Sequence, residues 1–259
     1  MPASAMSSVS HYENFPVASL LCPPRLRAPI VAIYHFARTA DDIADEGAAQ
    51  AEQRLHLLQS LRHDLHKQLQ DPQFQSLKWP DVLSSVCTQI RAFDLPVPLL
   101  LALLDAFEQD VVYTRDQRRY ADRAELLAYC ARSANPIGRL LLHLYGITSP
   151  QALGYSDAVC TALQLINFWQ DISVDLPRGR FYLPSDSQFH EEIAFARHMM
   201  NQGAALVHQV PGRAGWELRL VVQGGLRILD KIERTDTTRQ RPHLNAADTL
   251  LMLWRSLWM

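Results

Sequence analysis

Two acidic segments, far apart along the chain, carry the residues whose types and spacing point to chemistry. Their members are Asp41, Asp42 and Asp45 in the first, and Asn167, Asp171 and Asp175 in the second. Residues four positions apart share one face of a helix, so Asp41 is expected beside Asp45, and the second segment is expected to form one stripe of oxygen atoms. Like charges at this spacing repel each other, which indicates a bound cation. Carboxylate and amide oxygens, completed by water and phosphate, are typical ligands of Mg²⁺.

The alternative for each acidic segment is an ordinary solvated helix face that binds no metal, since such runs usually lie on the surface. The first segment, however, is flanked by Ile33, Phe36 and Ile43, so its helix is apolar around much of its circumference and is predicted to be buried. A buried carboxylate without a partner is costly. The second segment is predicted to lie deep in a long helix, where capping does not explain a polar stripe. Asp42 points about 100° away from its neighbour and is the weaker ligand candidate.

Three arginines, Arg38, Arg178 and Arg180, accompany these carboxylates. Ordinary Arg–Asp ion pairing is the common alternative, but guanidinium groups also suit phosphate oxygens. Metal-binding carboxylates and phosphate-binding arginines together predict a diphosphate ester that ionises to a carbocation. Such a site needs a cavity that excludes water and offers aromatic faces to the cation. The aromatic residues that share helices with the polar groups are Tyr34, Tyr129 and Phe168.

The composition limits the class of protein. The chain has 259 residues, 48% of them hydrophobic, and a net charge of −2, which disfavours a nucleic-acid partner. Its four cysteines form no CxxC pair, which fits a reduced, cytoplasmic location. No signal peptide or bilayer-spanning run is expected, and residues 1–10 are expected to be flexible. No nucleotide-binding loop, nicotinamide signature or hydrolase triad is visible, so NADPH is not expected.

Helical periodicity dominates the chain, and strand signals are nearly absent. A first helix is predicted after Pro24 and ends at Gly47. Further helices are predicted at about 48–70, 80–93, 99–114, 125–145 with a kink at Pro136, 150–176, 188–209, 214–235 and 246–258. No linker or repeat interrupts them, so a single all-α domain over residues 1–259 is the economical prediction.

Several segments together resemble the squalene/phytoene synthase family. They are His11-Tyr-Glu-Asn14-Phe15, Tyr34-His-Phe-Ala-Arg38, Asp41-Asp-Ile-Ala-Asp45, Gln164-Leu-Ile-Asn167-Phe168, Gln170-Asp171-Ile-Ser-Val-Asp175 and Arg180-Phe-Tyr182-Leu-Pro. The resemblance implies an isoprenoid-synthase-type helical bundle around a central cavity. It also implies that two or three Mg²⁺ ions are held with the diphosphate by Asp41, Asp45, Asn167, Asp171 and Asp175.

The resemblance further implies a prenyl diphosphate substrate. The implied substrate contacts are His11, Asn14, Phe15, Tyr34, Arg38, Gln164 and Tyr182, which join Arg178 and Arg180. Tyr129, which matches a tyrosine of the family's Tyr-Cys segment, is implied to contact the reacting cation or the diphosphate. After Pro184 the family usually has a longer insert, whereas here the chain leads quickly into the next helix, so this part of the cavity wall is expected to be rebuilt.

Within the family the chain is most similar to the hydroxysqualene-forming branch of bacterial hopanoid synthesis. Relatives that join two farnesyl diphosphates usually have Arg at the position of Gln170, and one positive group fewer suits a substrate with a single diphosphate. We therefore expect a carbon–oxygen lyase that ionises presqualene diphosphate and lets water quench the cation as hydroxysqualene. Asn135 is expected to position that water.

Other functions stay open at this point. A head-to-head prenyltransferase that joins two farnesyl diphosphates is the nearest alternative. A helical partner without catalytic activity and a metal-dependent phosphate hydrolase are weaker ones. The apolar C-terminal tail, 250–259, is expected to pack on the bundle, with contact to a membrane surface as the sharper alternative.

Overall fold

The computed structural model describes residues 22–259, and this part of the chain consists of helices joined by turns, without a β-strand. The helices are α1 (Pro24–Asp45), α2 (Ala51–Gln70), α3 (Pro80–Phe93), α4 (Val97–Arg115), α5 (Arg123–Ser133), α6 (Asn135–Leu144), α7 (Pro150–Gln170), α8 (Ile172–Asp175), α9 (Phe189–Gly203), α10 (Gly212–Ile232) and α11 (Ala246–Leu257). Short 3-10 turns follow α8 and α9. Between residues 22 and 259 no helix is long and apolar enough to cross a bilayer. The predicted all-α class is confirmed.

Local signals set most helix ends. Pro24, Pro80 and Pro150 lie in the first turns of α1, α3 and α7, where a missing N–H costs nothing. The Ser149 side chain accepts a hydrogen bond from the Ala152 N–H and caps α7. Asn245 caps α11 in the same way. These signals are readable in the sequence, which is why the predicted ends of α2, α3, α4 and α11 agree with the structure within a few residues.

Three predicted helices are divided, and one of them, 150–176, is interrupted at Asp171. The segment 125–145 forms α5 and α6, which meet at Ala134 (φ −118°, ψ −48°), and Pro136 lies in the first turn of α6. The segment 188–209 ends as an α-helix at Gly203 and continues as a 3-10 turn over Ala204–His208. The first helix ends at Asp45, two residues before Gly47, whose φ of 75° is left-handed.

Two large apolar cores and one small cluster around Leu142, Ala152 and Leu206 hold the described helices together. One core packs α1, α2, α3, α4 and α6 against one another through side chains such as Leu26, Phe36 and Leu100. The other joins α4, α5, α7, α9 and α10 and includes the fully buried Trp169. The most extensive helix packing is between α7 and α9, where Gly203 lets the two backbones approach. This arrangement brings the C-terminal ends of α1, α4 and α7 to one region, where the acidic residues lie.

Candidate diphosphate and metal site

Arg180 connects the two acidic segments. Its guanidinium group donates to both carboxylate oxygens of Asp45, with Nη2–Oδ1 at 2.5 Å and Nη1–Oδ2 at 2.8 Å. The same Nη1 lies 3.9 Å from Oδ1 of Asp175. The Arg180 side chain is only 12% exposed, so water screens these contacts weakly. A single cation therefore neutralises one carboxylate from each segment.

The backbone after α8 turns Arg180 toward α1. Leu176–Arg178 form a 3-10 turn, and Gly179 follows with a φ of 76°, a conformation that favours glycine. The Arg180 N–H then donates to the carbonyl of Asp175 at 3.1 Å. The Pro177-Arg178-Gly179 sequence thus reverses the chain and returns a guanidinium group to the carboxylates that precede it.

The second acidic segment is not one continuous helix, and this corrects the sequence prediction. α7 ends at Gln170, and Asp171 is its C-cap with φ −100° and ψ 12°. The cause is a distant segment: the Ser173 N–H donates to the Thr237 carbonyl at 3.0 Å, and Arg241 forms an ion pair with Asp171. The four-residue spacing survives, because the N–H groups of Asp171 and Asp175 still bond four residues back. Asn167 is exposed on the last turn of α7.

Arg38 binds the first acidic segment. Its guanidinium group lies 2.6 Å from Asp41 and 2.7 Å from Asp42. The Asp42 side chain is 46% exposed, whereas that of Asp41 is 32% exposed. Asp41 and Asp45 stay close enough for their charges to interact.

Asp110, five residues before the end of α4, lies at the candidate site and was not predicted from the sequence. It accepts a short hydrogen bond from the Tyr129 hydroxyl and lies 3.4 Å from the Tyr182 hydroxyl. Charges on Asp45, Arg180 and Asp41 act on it, which places it beside the acidic segments. Nothing local marks Asp110, because α4 carries acidic residues on several faces and Tyr182 is 72 positions away.

Aromatic rings pack against this polar region. Phe168 and Tyr182 stack with ring centres 3.7 Å apart and planes 9° apart. Tyr129 lies 6.1 Å from Phe168 and 6.3 Å from Tyr182. The cavity between Asp110, Tyr120, Arg180 and Tyr182 holds only about 10 Å³, roughly one water molecule. A prenyl chain would require these rings to move apart.

Four partly buried carboxyl groups of the site have raised pKa values. Burial and repulsion by Asp45 raise the pKa of Asp41 to about 7. Burial raises the pKa of Asp175 to about 7 against the opposing effect of Arg180. Burial also raises the pKa of Asp110 to about 7, although the Tyr129 hydrogen bond works against it. The pKa of Asp45 is raised by burial and lowered again by Arg180, its closest partner. These carboxylates would be stabilised by further positive charge.

The remaining predicted site residues lie on α1, α6, α7 and the turn after α8, or outside the described residues. Asn135 begins α6 and accepts a hydrogen bond from the Thr161 hydroxyl at 3.0 Å. Gln164 is half-buried on α7, one turn before Phe168, and Tyr34 is half-buried on α1, one turn before Arg38. Arg178 is exposed but close enough to Asp45 and Asp175 to lower the pKa of each. The predicted contacts His11, Asn14 and Phe15 lie outside the described residues, as do residues 1–10.

The donor set fits Mg²⁺ by type. The carboxylates are hard oxygen ligands. Burial raises the pKa of Asp41 and of Asp175 to about 7. Over residues 22–259 no three acidic, histidine or cysteine side chains converge in a preformed cage. Mg²⁺ usually binds through one or two carboxylates together with substrate phosphates, so a cage is not required. At present arginines neutralise the candidate ligands, with Arg38 on Asp41, Arg180 on Asp45 and Arg241 on Asp171.

A larger cavity lies elsewhere. It holds about 440 Å³ between the N-terminal ends of α1 and α10 and is lined by residues such as Cys22, Tyr145 and Pro211. No predicted site residue lines it.

Comparison with known proteins gives consistent similarities. Residues 9–192 match the model of the family described as squalene/phytoene synthase. A hydroxysqualene synthase of Zymomonas mobilis subsp. mobilis is 31% identical over 96% of this chain and 88% of its own length. A presqualene diphosphate synthase of Sinorhizobium fredii is 33% identical over 74% of this chain and 67% of its own. The crystal structure of squalene synthase HpnC from Alicyclobacillus acidocaldarius superposes with a TM-score of 0.73 at 31% identity, covering 90% of this chain and 92% of that one.

Proposed function

Because the chain belongs to the squalene/phytoene synthase family, we propose that it converts presqualene diphosphate to hydroxysqualene with loss of diphosphate. The observation that carries the proposal is the convergence of Asp45 and Asp175 on Arg180, within reach of a Tyr129–Asp110 pair and stacked aromatic rings. The names of similar proteins include hydroxysqualene synthase over nearly the full chain, which supports this reaction.

Arg38, Arg178 and Arg180 would bind the diphosphate oxygens, since all three already lie at or near the carboxylates. Asp41, Asp45, Asn167, Asp171 and Asp175 would hold Mg²⁺, which, when bound, neutralises the charge that develops on the leaving diphosphate. Arg180 would exchange its contact with Asp45 for one with the diphosphate. The C–O bond then breaks with both electrons leaving on the diphosphate oxygen.

The organic cation would face Phe168, Tyr129 and Tyr182. Aromatic faces stabilise a cation by their quadrupole. Their packing leaves room for roughly one water molecule beside Asp110, so random hydration is restricted. After the cyclopropyl cation rearranges, the oxygen of one water attacks it. Asn135 would orient that water through its amide group, while its oxygen stays bound to Thr161.

The attacking water must lose a proton. We propose that the Tyr129 hydroxyl accepts it as its own proton passes to Asp110, with which it is already hydrogen-bonded. An Asp110 pKa of about 7 suits a proton acceptor near neutral pH. Burial and Asp110 raise the pKa of Tyr129 well above the ordinary value, so its hydroxyl stays protonated and can accept a proton only as it passes its own to Asp110.

The alternative is a head-to-head prenyltransferase, supported by the similarity to a presqualene diphosphate synthase. Gln170 favours the lyase on the hypothesis that a transferase needs an additional arginine at this position. The Gln170 side chain is fully buried and donates to the Pro242 carbonyl at 2.6 Å, next to Arg241, so an arginine here would need a different local packing. Cytoplasmic location is part of the proposal.

Separate incubations distinguish the two reactions. Purified protein with Mg²⁺ is supplied with presqualene diphosphate or with farnesyl diphosphate, and lipid products and released diphosphate are measured. Hydroxysqualene from the first substrate and no diphosphate from the second support the lyase. Diphosphate release from farnesyl diphosphate alone supports the transferase. EDTA is the matched control and is expected to abolish turnover of either substrate.

A further inference from the structure

The last helix of the chain presents its large apolar side chains to solvent. The inward face of α11 carries the buried residues Asp248, Met252 and Ser256, four positions apart. The outward face carries side chains spaced 3, 4, 7 and 8 positions after the first, each exposed by 47 to 77%: Leu250, Leu253, Trp254, Leu257 and Trp258. An ordinary surface helix has the opposite orientation. We call this set of five the outer stripe.

Polar contacts fix α11 in this orientation. Asp248, only 1% exposed, forms ion pairs with Arg227 and Lys231 of α10. Asn245 and Asp248 form a reciprocal capping box at the start of the helix. At the other end, Arg219 donates to the Ser256 carbonyl at 3.2 Å. Rotating α11 to bury its outer stripe would break these bonds and leave a charged group unpaired.

Tryptophans are concentrated on this surface. Trp254 and Trp258 touch edge to face, with ring centres 5.8 Å apart. Trp216 of α10 is also exposed, and Arg219 connects it to the end of α11 by lying 4.9 Å above its ring. Three of the chain's five tryptophans therefore lie on one exposed surface. Tryptophan is enriched where proteins meet the boundary between lipid headgroups and acyl chains.

The exposed charges beside the outer stripe are mainly positive. The only acidic residue of α11 is the buried Asp248, whereas Arg255 is 46% exposed and Arg213 of α10 is exposed. The carboxylate of Asp230 lies 2.9 Å from Arg197 and 3.9 Å from Arg255, so at least two arginines share this one negative charge. Glu217, half-buried on α10, is the other acidic group on that helix near Trp216. Exposed apolar and aromatic side chains with flanking arginines match a bilayer surface that carries anionic headgroups.

We propose that the outer stripe, together with Trp216, Arg213 and Arg255, is a membrane-surface contact for bilayers that contain anionic phospholipids. α11 would lie in the plane of the interface, since its twelve residues, about 18 Å in length, are too short to span a bilayer. The contact would place the enzyme where lipid substrates and products partition. It does not depend on the proposed reaction, because binding to vesicles needs no substrate.

The test is co-sedimentation of the full chain with phosphatidylcholine vesicles, with and without 30% phosphatidylglycerol as a chosen composition (about one anionic lipid in three). The variant is Trp254→Ser/Trp258→Ser, and its control is Leu77→Ser, which removes a fully exposed apolar side chain before α3. Circular dichroism and light scattering of each protein report folding and oligomeric state. Because the substituted side chains are exposed, all three proteins are expected to fold equally well.

The wild-type chain and Leu77→Ser are expected to bind anionic vesicles, and the double variant at least about tenfold more weakly. Arg255→Gln is expected to reduce the preference for anionic over neutral vesicles. Absence of wild-type binding, or equal binding by the double variant, would overturn the proposal. A wild-type dimer that the double substitution converts to a monomer, without vesicle binding, would assign the outer stripe to a second copy of the chain and would also overturn it.

Discussion

Arg180 and Asp45 are 135 positions apart in the sequence, yet they form a two-bond ion pair, and the same guanidinium lies 3.9 Å from Asp175. One positive charge therefore contacts a carboxylate from each acidic segment. In the proposed reaction the diphosphate and its Mg²⁺ take up this region, so Arg180 is expected to change partner when substrate binds.

Replacing Arg180 tests that exchange of partners. Arg180→Gln is expected to lower turnover of presqualene diphosphate by about 100-fold, since one charge-assisted contact to the leaving group is lost. Arg180→Lys should retain part of the activity as a point charge without the paired geometry. The control is Arg139→Gln, which breaks an ion pair with Asp157 between α6 and α7, away from the acidic segments. Wild-type turnover in Arg180→Gln would remove this residue from the mechanism.

Asp45 and Asp42 lie on the same helix but have different expected roles in metal binding. Asp45→Asn is expected to lower Mg²⁺-dependent turnover by more than about 100-fold, because a candidate metal ligand loses its charge. Asp42→Asn should stay within about threefold of wild type, since Asp42 is half exposed and contacts Arg38. The measurement is the rate of diphosphate release against Mg²⁺ concentration. Equal effects of the two substitutions would contradict the assigned roles.

Asp110 and Tyr129 are expected to act as one unit. Tyr129→Phe and Asp110→Asn should each slow formation of the alcohol by about 10²- to 10⁴-fold, and the double variant should be little worse than either single one. The product mixture should shift toward hydrocarbons that lose a proton instead of gaining water. Independent, multiplicative effects of the two substitutions would show that the hydrogen bond between them is not used in the reaction.

Helix positions could be predicted from the sequence because their signals are local. Pro80 and Pro150 each open a helix, and Ser149 supplies its own cap, so few distant contacts are needed to place α3 and α7. The break at Asp171 could not be predicted in this way. It depends on Thr237 and Arg241, which lie more than 60 positions further along the chain and bind Ser173 and Asp171.

The residues of the candidate site were likewise predictable only in part from the sequence. Spacing within each segment indicated that Asp41, Asp45, Asp171 and Asp175 belong to candidate metal-binding pairs. It could not indicate Asp110, whose hydroxyl partners Tyr129 and Tyr182 come from α5 and from the loop after α8. A single Asp in an amphipathic helix usually faces solvent, and only the folded chain shows that Asp110 faces two tyrosines.

The free energy of unfolding is expected to fall as the pH rises toward and through neutrality. Asp41, Asp110 and Asp175 have pKa values near 7 in the folded chain against an ordinary value of 3.8, so the folded state binds more protons between these limits. The free energy of unfolding should therefore fall as pH rises from 5.5 to about 8. Thermal unfolding of the ligand-free protein measures it. Asp110→Asn should show a weaker pH dependence, whereas a Tm that rises with pH over this range would contradict the pKa values.

The contact of α7 with α9 makes a separate prediction about stability. A Cβ at Gly203 would lie 2.6 Å from the Tyr155 carbonyl oxygen and 2.8 Å from the Val159 nitrogen, so Gly203→Ala must push the helices apart. It should lower the free energy of unfolding by about 1–3 kcal/mol. Gly154→Ala in α7, with no atom within 4 Å of its Cβ, should raise it by about 0.5–1 kcal/mol. Urea titration of both variants checks the pair; equal effects would contradict the close approach.

The most direct measurement is the origin of the oxygen in the product. The protein is incubated with Mg²⁺ and presqualene diphosphate in water enriched in ¹⁸O, and the lipid product is analysed by mass spectrometry. The proposed reaction predicts hydroxysqualene whose hydroxyl oxygen carries the label in proportion to the solvent, together with one released diphosphate per alcohol. An unlabelled alcohol, or diphosphate release without any alcohol, would contradict it.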